Sequence, residues 1–195
     1  GLLGGEDEEG TFGGDYPAIV PLLPTGLDAT AAHLTWDDQK LEAGAGTFFE
    51  IAGCYRRYHA PLCRTVFLGT PPKEMLAAEE ALQEGIADSI DAARPGNTAG
   101  DVARAFYAVL KKCGIARDGR CGYPIGLSYP PDWGERTFSI RSEDETVLCP
   151  NMTFHLMPAL WMDEWGLEIT EPLLVGTSGP ATCLADYPRK LFVKA

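Results

Sequence analysis

Between Thr70 and Gly114 the apolar residues recur at helical spacing, while the stretches on either side have the composition of extended chain. That switch of period leaves few folds open. Met75, Ala78, Leu82, Ile86 and Ile90 fall on one helical face, with Thr70 expected to cap the helix, Pro71 to occupy its first position and Pro95-Gly96 to stop it. A second helix is expected from Thr98-x-x-Asp101, a capping-box pattern. Val102, Ala105, Phe106, Val109, Leu110 and Cys113 form its apolar stripe, and Lys111-Lys112 before Gly114 complement the helix dipole at its end. Upstream, residues 18–23 and 29–36 read as short extended segments around Pro24-Thr25-Gly26, and 46–54 with 62–68 as a stronger strand pair. Downstream, 146–161 and 166–175 return to strand composition. The order predicts an α+β domain over residues 15–195, with helices packed on one side of a curved antiparallel sheet. Residues 1–14 read as a Gly-rich acidic lead-in.

The chain has 195 residues, 45% of them apolar and 23% charged, which suits a globular domain with a real core. Sixteen Lys and Arg against 28 Asp and Glu give a formal net charge of −12. This balance argues against nucleic acid and anionic membrane as partners, because phosphate binding needs a basic surface, and it favours a neutral or cationic small molecule. No apolar run is long enough to span a bilayer, and the first residues carry neither a basic leader nor an initiating Met, which suggests a fragment or a processed chain. The six cysteines lack any C-x-x-C spacing and read as reduced thiols in a cytoplasmic protein. Three histidines without i, i+4 spacing offer no local metal motif.

Glu50, in Thr47-Phe48-Phe49-Glu50-Ile51-Ala52-Gly53, has apolar neighbours on both faces of its strand. It reads either as an exposed-face carboxylate or as a partly desolvated one facing a pocket, with a raised pKa unless a cation lies near. His33 and His155 each read either as a proton carrier near neutral pH or as a satisfied structural histidine, and His59 as a possible cap at the polar end of a hairpin. Trp133 and Glu135, in Tyr129-Pro130-Pro131-Asp132-Trp133-Gly134-Glu135, offer an aromatic wall beside carboxylates that suits a ring-shaped cation, although a Pro-Pro turn with exposed acids is equally compatible.

Five segments in order, LLPTG…AAHLTWDD, FFEIAGCYRRYHAPLCRTVFLG, GRCGYPIGLSYPPDWGE, MTFHLMPALW and GLEITEPLLVG, resemble the pita-bread superfamily of methionine and Xaa-Pro aminopeptidases, prolidase and creatinase. Within it they are most similar to the ectoine hydrolase branch. The resemblance implies two pseudo-symmetric helix-plus-hairpin halves around a curved antiparallel sheet, N-terminally truncated here, without the first helices and strand. The peptidases of the superfamily hold two metal ions through two Asp, one His and two Glu. Those positions fall on Glu50, Pro61, Tyr123, Met157 and Thr170, the last with Glu171 beside it, so one of the five remains acidic and the resemblance implies no metal and no other cofactor.

For function, the resemblance implies metal-independent hydrolysis of ectoine, a cyclic amidine carboxylate, to N-acetyl-2,4-diaminobutyrate. It implies Glu50 as nucleophile and His33 as general acid and base, with Tyr123, Trp133, Glu135, His155, Glu168 and Glu171 around the substrate. The family proline before His33 is Ala32 here, and a second family histidine has become Pro130. The alternatives are a hydrolase of another small C–N substrate, Xaa-Pro aminopeptidase-like or creatinase-like, and a non-catalytic solute-binding homologue. A homodimer is expected, with a missing N-terminal domain contributing to the pocket.

Overall fold

The computed structural model describes residues 17–32, 34 and 37–195. The lead-in, together with His33, Thr35 and Trp36, lies outside the described residues. After a 3-10 turn at Gly26–Thr30, the chain forms a long hairpin, with β1 (Gly46–Tyr55) antiparallel to β2 (Tyr58–Leu68) and Glu50 directly opposite Cys63. Two helices follow, α1 (Lys73–Ala92) and α2 (Ala99–Lys112). Seven short strands complete the chain: β3 (Gly122–Pro124), β4 (Thr153–Leu156), β5 (Ala159–Trp161), β6 (Gly166–Glu168), β7 (Glu171–Leu174), β8 (Thr182–Cys183) and β9 (Phe192–Lys194). Among the described residues they pair as β1-β2-β9, β3-β4-β7-β8 and β5-β6. All pairings are antiparallel except β2 with β9, which is parallel.

The second helix forms as its sequence dictates. Thr98 accepts from the Asp101 backbone N–H at 3.1 Å while the Asp101 carboxylate accepts from the Thr98 N–H at 2.8 Å. This closes the capping box and satisfies two donors the helix cannot. Its buried residues Val102, Phe106 and Leu110 pack on α1 in one core with Met75, Leu82 and Ile86. The approach is close because Gly85 has no side chain: a Cβ there would sit 2.7 Å from Cδ2 of Phe106. One core unites both helices with Phe154, Leu156, Leu167, Ile169 and Leu173, so the helices cover one side of the second sheet.

Three expectations need correction. Residues 18–23 and the described residues among 29–36 do not form strands; the chain there makes isolated bridges, Leu22 to Glu50 and Thr25 to Thr47, and winds into a 3-10 turn at Gly26–Thr30. Gly26, at φ +60°, adopts the left-handed backbone that starts this turn and interrupts any extended run. The first helix starts later than expected: Pro72, not Thr70, is its N-cap residue, and no side chain caps it. Cys113 is exposed instead of lying on the apolar stripe, because the helix has ended at Lys112.

Candidate active site

The inward face of β1 carries Phe48, Glu50 and Ala52, all buried, while Phe49 between them is 38% exposed. Alternation therefore places Glu50 inside, at 3% exposure. Its backbone is fixed on both sides, by the ladder to β2 and by reciprocal bonds with Leu22 at 2.9 and 3.1 Å. Its Oε1 is buried and has no hydrogen-bond partner among the described residues. Burial, reinforced by the charge of Glu135, raises the Glu50 pKa from 4.5 to about 7.

A second buried carboxylate, Glu168 at the end of β6, shares this interior, and its Oε1 also lacks a partner among the described residues. Burial and the charge of Glu50 push its pKa well above the carboxylate range, with Arg117 pulling the other way. The Cys63 thiol, opposite Glu50, is pushed well above the ordinary thiol range by burial and by Glu168 and Glu50. Two carboxylates and a neutral thiol thus share one desolvated space that a cation would relieve.

The wall of this space comes from β3, β4 and the loop between them. Tyr123 and His155 are paired positions of β3 and β4, and the phenol lies 2.8 Å from Nδ1. Trp133 stacks on Tyr123 at 6.5 Å and meets the His155 ring edge-on at 6.1 Å. Loop hydrogen bonds hold it: Gly126 N–H donates to the Trp133 carbonyl, and Asp132 accepts from the Gly134 N–H and the Ser128 hydroxyl. The Trp133 indole N–H is buried without an acceptor among the described residues, as is that of Trp161. Glu135 is paired with Arg120 at 2.5 Å, and Arg120 itself lies 4.5 Å from the Tyr123 ring centre. Burial first, then Glu50, Glu135 and Glu168, keep the Tyr123 phenol protonated well above its usual range.

Glu50, Tyr123, Trp133, Glu135, His155 and Glu168 are therefore brought together. Glu171 is not: its Oε1 accepts from Arg64 at 2.6 Å and from Arg189 at 3.3 Å, an ion-pair cluster tied to the C-terminal segment. His33 lies outside the described residues. His59 is a buried structural link, with Nε2 accepting from the Ala18 N–H and Nδ1 facing the Gly126 carbonyl. Sequence reasoning missed Cys63, Thr65, Arg117 and Arg120, whose partners lie far away in the chain or in a loop and leave no local pattern.

Residues 5–177 match the model of metallopeptidase family M24. The chain is 62% identical, over an alignment of 196 residues, to ectoine hydrolase of Halomonas elongata, covering all of this chain and 49% of that protein. It is 24% identical to the Xaa-Pro dipeptidase of Pyrococcus furiosus, over 92% of this chain and 51% of that one. Among solved structures, the dipeptidase PepE of Mycobacterium ulcerans superposes with a TM-score of 0.81 at 29% identity, over 89% of this chain and 46% of that one. The prolidase of Pyrococcus horikoshii superposes with a TM-score of 0.82 at 22% identity, over 90% and 50%. The chain thus spans about half the length of the relatives it matches.

A metallopeptidase family implies bound metal, and the residues here do not fit it. Pro61 and Met157 offer no hard ligand, the Tyr123 phenol is engaged with His155, Thr170 Oγ1 accepts from the Cys63 N–H, and Glu171 is held by two arginines. Among the described residues, no group of three or more His, Cys, Asp or Glu could hold a metal ion.

Proposed function

Since the chain belongs to metallopeptidase family M24 but lacks that family's ligand set among its described residues, we propose that it is the catalytic part of an ectoine hydrolase acting without metal through Glu50. The observation that carries this reading is the buried Glu50 Oε1, which has no hydrogen-bond partner among the described residues, beside the Glu168 Oε1, which likewise lacks one there. The likeness to the Halomonas ectoine hydrolase supports the choice of substrate.

Ectoine brings a cyclic amidinium and a carboxylate. Raising a carboxylate from 4.5 to about 7 corresponds to about 3 kcal/mol. An amidinium about 4 Å away contributes about 4 kcal/mol at an effective dielectric of 20, so substrate binding is enough to ionise Glu50. Glu168 faces the same positive charge, and the rings of Tyr123 and Trp133 accept its flat face. The indole N–H groups of Trp133 and Trp161 are the donors proposed for the substrate carboxylate.

In the reaction, a Glu50 oxygen adds to the amidinium carbon, giving a tetrahedral adduct. Its collapse breaks one ring C–N bond, and the departing nitrogen takes a proton, assigned to His33. An O-acyl imidate remains on Glu50, and water, deprotonated by the same group, resolves it to the acetamide and the free carboxylate. The net change is addition of one water and opening of the ring.

Mass spectrometry of the full-length enzyme quenched during ectoine turnover is expected to show an adduct on the Glu50 peptide, and Glu50→Gln is expected to lower kcat by about 10³-fold or more. Full turnover by Glu50→Gln would falsify the nucleophile assignment. Two tightly bound metals per chain, with activity lost to chelators, would overturn the metal-free reading.

A further inference from the structure

β2 and the turn joining β6 to β7 meet through an isolated bridge, Arg64 to Ile169. Side chains hold this seam on either side of the bridge. The Thr65 hydroxyl donates to the Glu168 carbonyl at 2.9 Å and accepts from the Glu168 N–H at 2.8 Å. One oxygen thus satisfies both backbone groups of a residue 103 positions away, which a hydroxyl can do because it is donor and acceptor at once. The arrangement is reversed two residues along. Thr170 Oγ1 accepts from the Cys63 N–H at 2.7 Å, and the Thr170 N–H donates to the Cys63 carbonyl at 3.2 Å. Between the two threonines, the Arg64 guanidinium donates to the carbonyls of Cys63 and Thr170.

The seam has a consequence for the two carboxylates. Glu50 is the strand partner of Cys63, and Glu168 is the residue whose backbone Thr65 holds. The stitch therefore fixes the two carboxylate-bearing segments in one frame, and Thr65 itself is fully buried, so no water replaces its bonds. We propose that Thr65 is a positioning residue that orients Glu168 against Glu50 and so tunes the grip on the amidinium; the assignment rests on the reading of these carboxylates as the substrate site. Thr170, on the position that resemblance gives to a metal-binding Glu, serves the same seam in place of ligation.

Thr65→Val keeps the shape and removes the hydroxyl, and Thr65→Ser keeps the hydroxyl. Two readouts on the full-length enzyme decide the matter. Amide hydrogen exchange at Glu168 is expected to accelerate about tenfold or more in Thr65→Val and to stay within about threefold of the parent in Thr65→Ser. For ectoine, KM is expected to rise about tenfold in Thr65→Val with kcat within about threefold, because an interaction made equally in ground and transition states is lost, and Thr65→Ser is expected to restore it. A merely structural role would lower the active fraction and leave KM unchanged. Unchanged Glu168 exchange and unchanged KM in Thr65→Val would overturn the proposal, and where that variant does not fold, Thr65→Ala is read against Thr65→Ser by the same criteria. If the parent enzyme does not turn over ectoine, the proposed function falls, whereas the exchange at Glu168 still decides whether Thr65 positions it.

Discussion

Tyr123 and His155 face each other twice, as paired positions of β3 and β4 and through a 2.8 Å contact between the phenol and Nδ1. Both are buried, so removal of the hydroxyl leaves Nδ1 without that partner. Tyr123→Phe is expected to cost about 1–3 kcal/mol of stability, measured by urea denaturation.

Glu50 links stability to pH. Its folded pKa, about 7, lies above the ordinary 4.5, so between these values the folded chain holds a proton that the unfolded chain has released. Stability from this group is complete below about pH 4.5 and is lost as pH rises through 7, by about 3 kcal/mol in total. Glu50→Gln cannot ionise. Urea melts are expected to show it near the parent at pH 4.5 and more stable than the parent at pH 8, and an unchanged pH slope would exclude the linkage.

Activity is expected to move in the opposite direction. Attack requires the carboxylate, so kcat/KM for ectoine in the free enzyme should rise with pH through about 7 and level off above it. A profile flat from pH 5.5 to pH 8.5 would remove Glu50 from the rate-determining ionisation.

Arg64 donates to Glu171, to the carbonyls of Cys63 and Thr170, and to those of Tyr187 and Pro188. Replacing it with Met leaves Glu171 buried with Arg189, at 3.3 Å, as its one remaining ion-pair partner among the described residues. The expected loss is about 3–5 kcal/mol by chemical denaturation, because a buried charge loses its main partner. Lys is not expected to rescue it, since one ammonium cannot serve acceptors spread around a planar fork.

Much of the scaffold was legible because it is written locally. The capping box at Thr98 and Asp101, the stripe from Met75 to Ile86 and the hairpin around Glu50 all follow from spacing. The described residues between 18 and 36 misled because apolar composition does not distinguish a strand from a segment that touches the sheet at single bridges, and Pro24-Thr25-Gly26 marked a break without showing that a 3-10 turn follows it. At the site, Glu50 could be named but its burial could not be decided, since its strand is apolar on both sides. Glu171 lay beside an inherited ligand position, yet Arg64, 107 residues away, takes its carboxylate. Contacts of that range, like that of Thr65 with Glu168, exist only once the chain has folded.

The thiols around and beyond the site differ in accessibility in a way useful to the bench. Cys63 and Cys121 are fully buried and their pKa values are raised, that of Cys121 to about 12, whereas Cys113 and Cys149 are exposed. Thiolate, not thiol, reacts with maleimides, so a brief treatment at neutral pH is expected to attach a fluorophore at Cys113 and Cys149 and spare Cys63. The carboxylate-lined interior would then keep its neutral sulfur while the surface carries a reporter for following ligand binding.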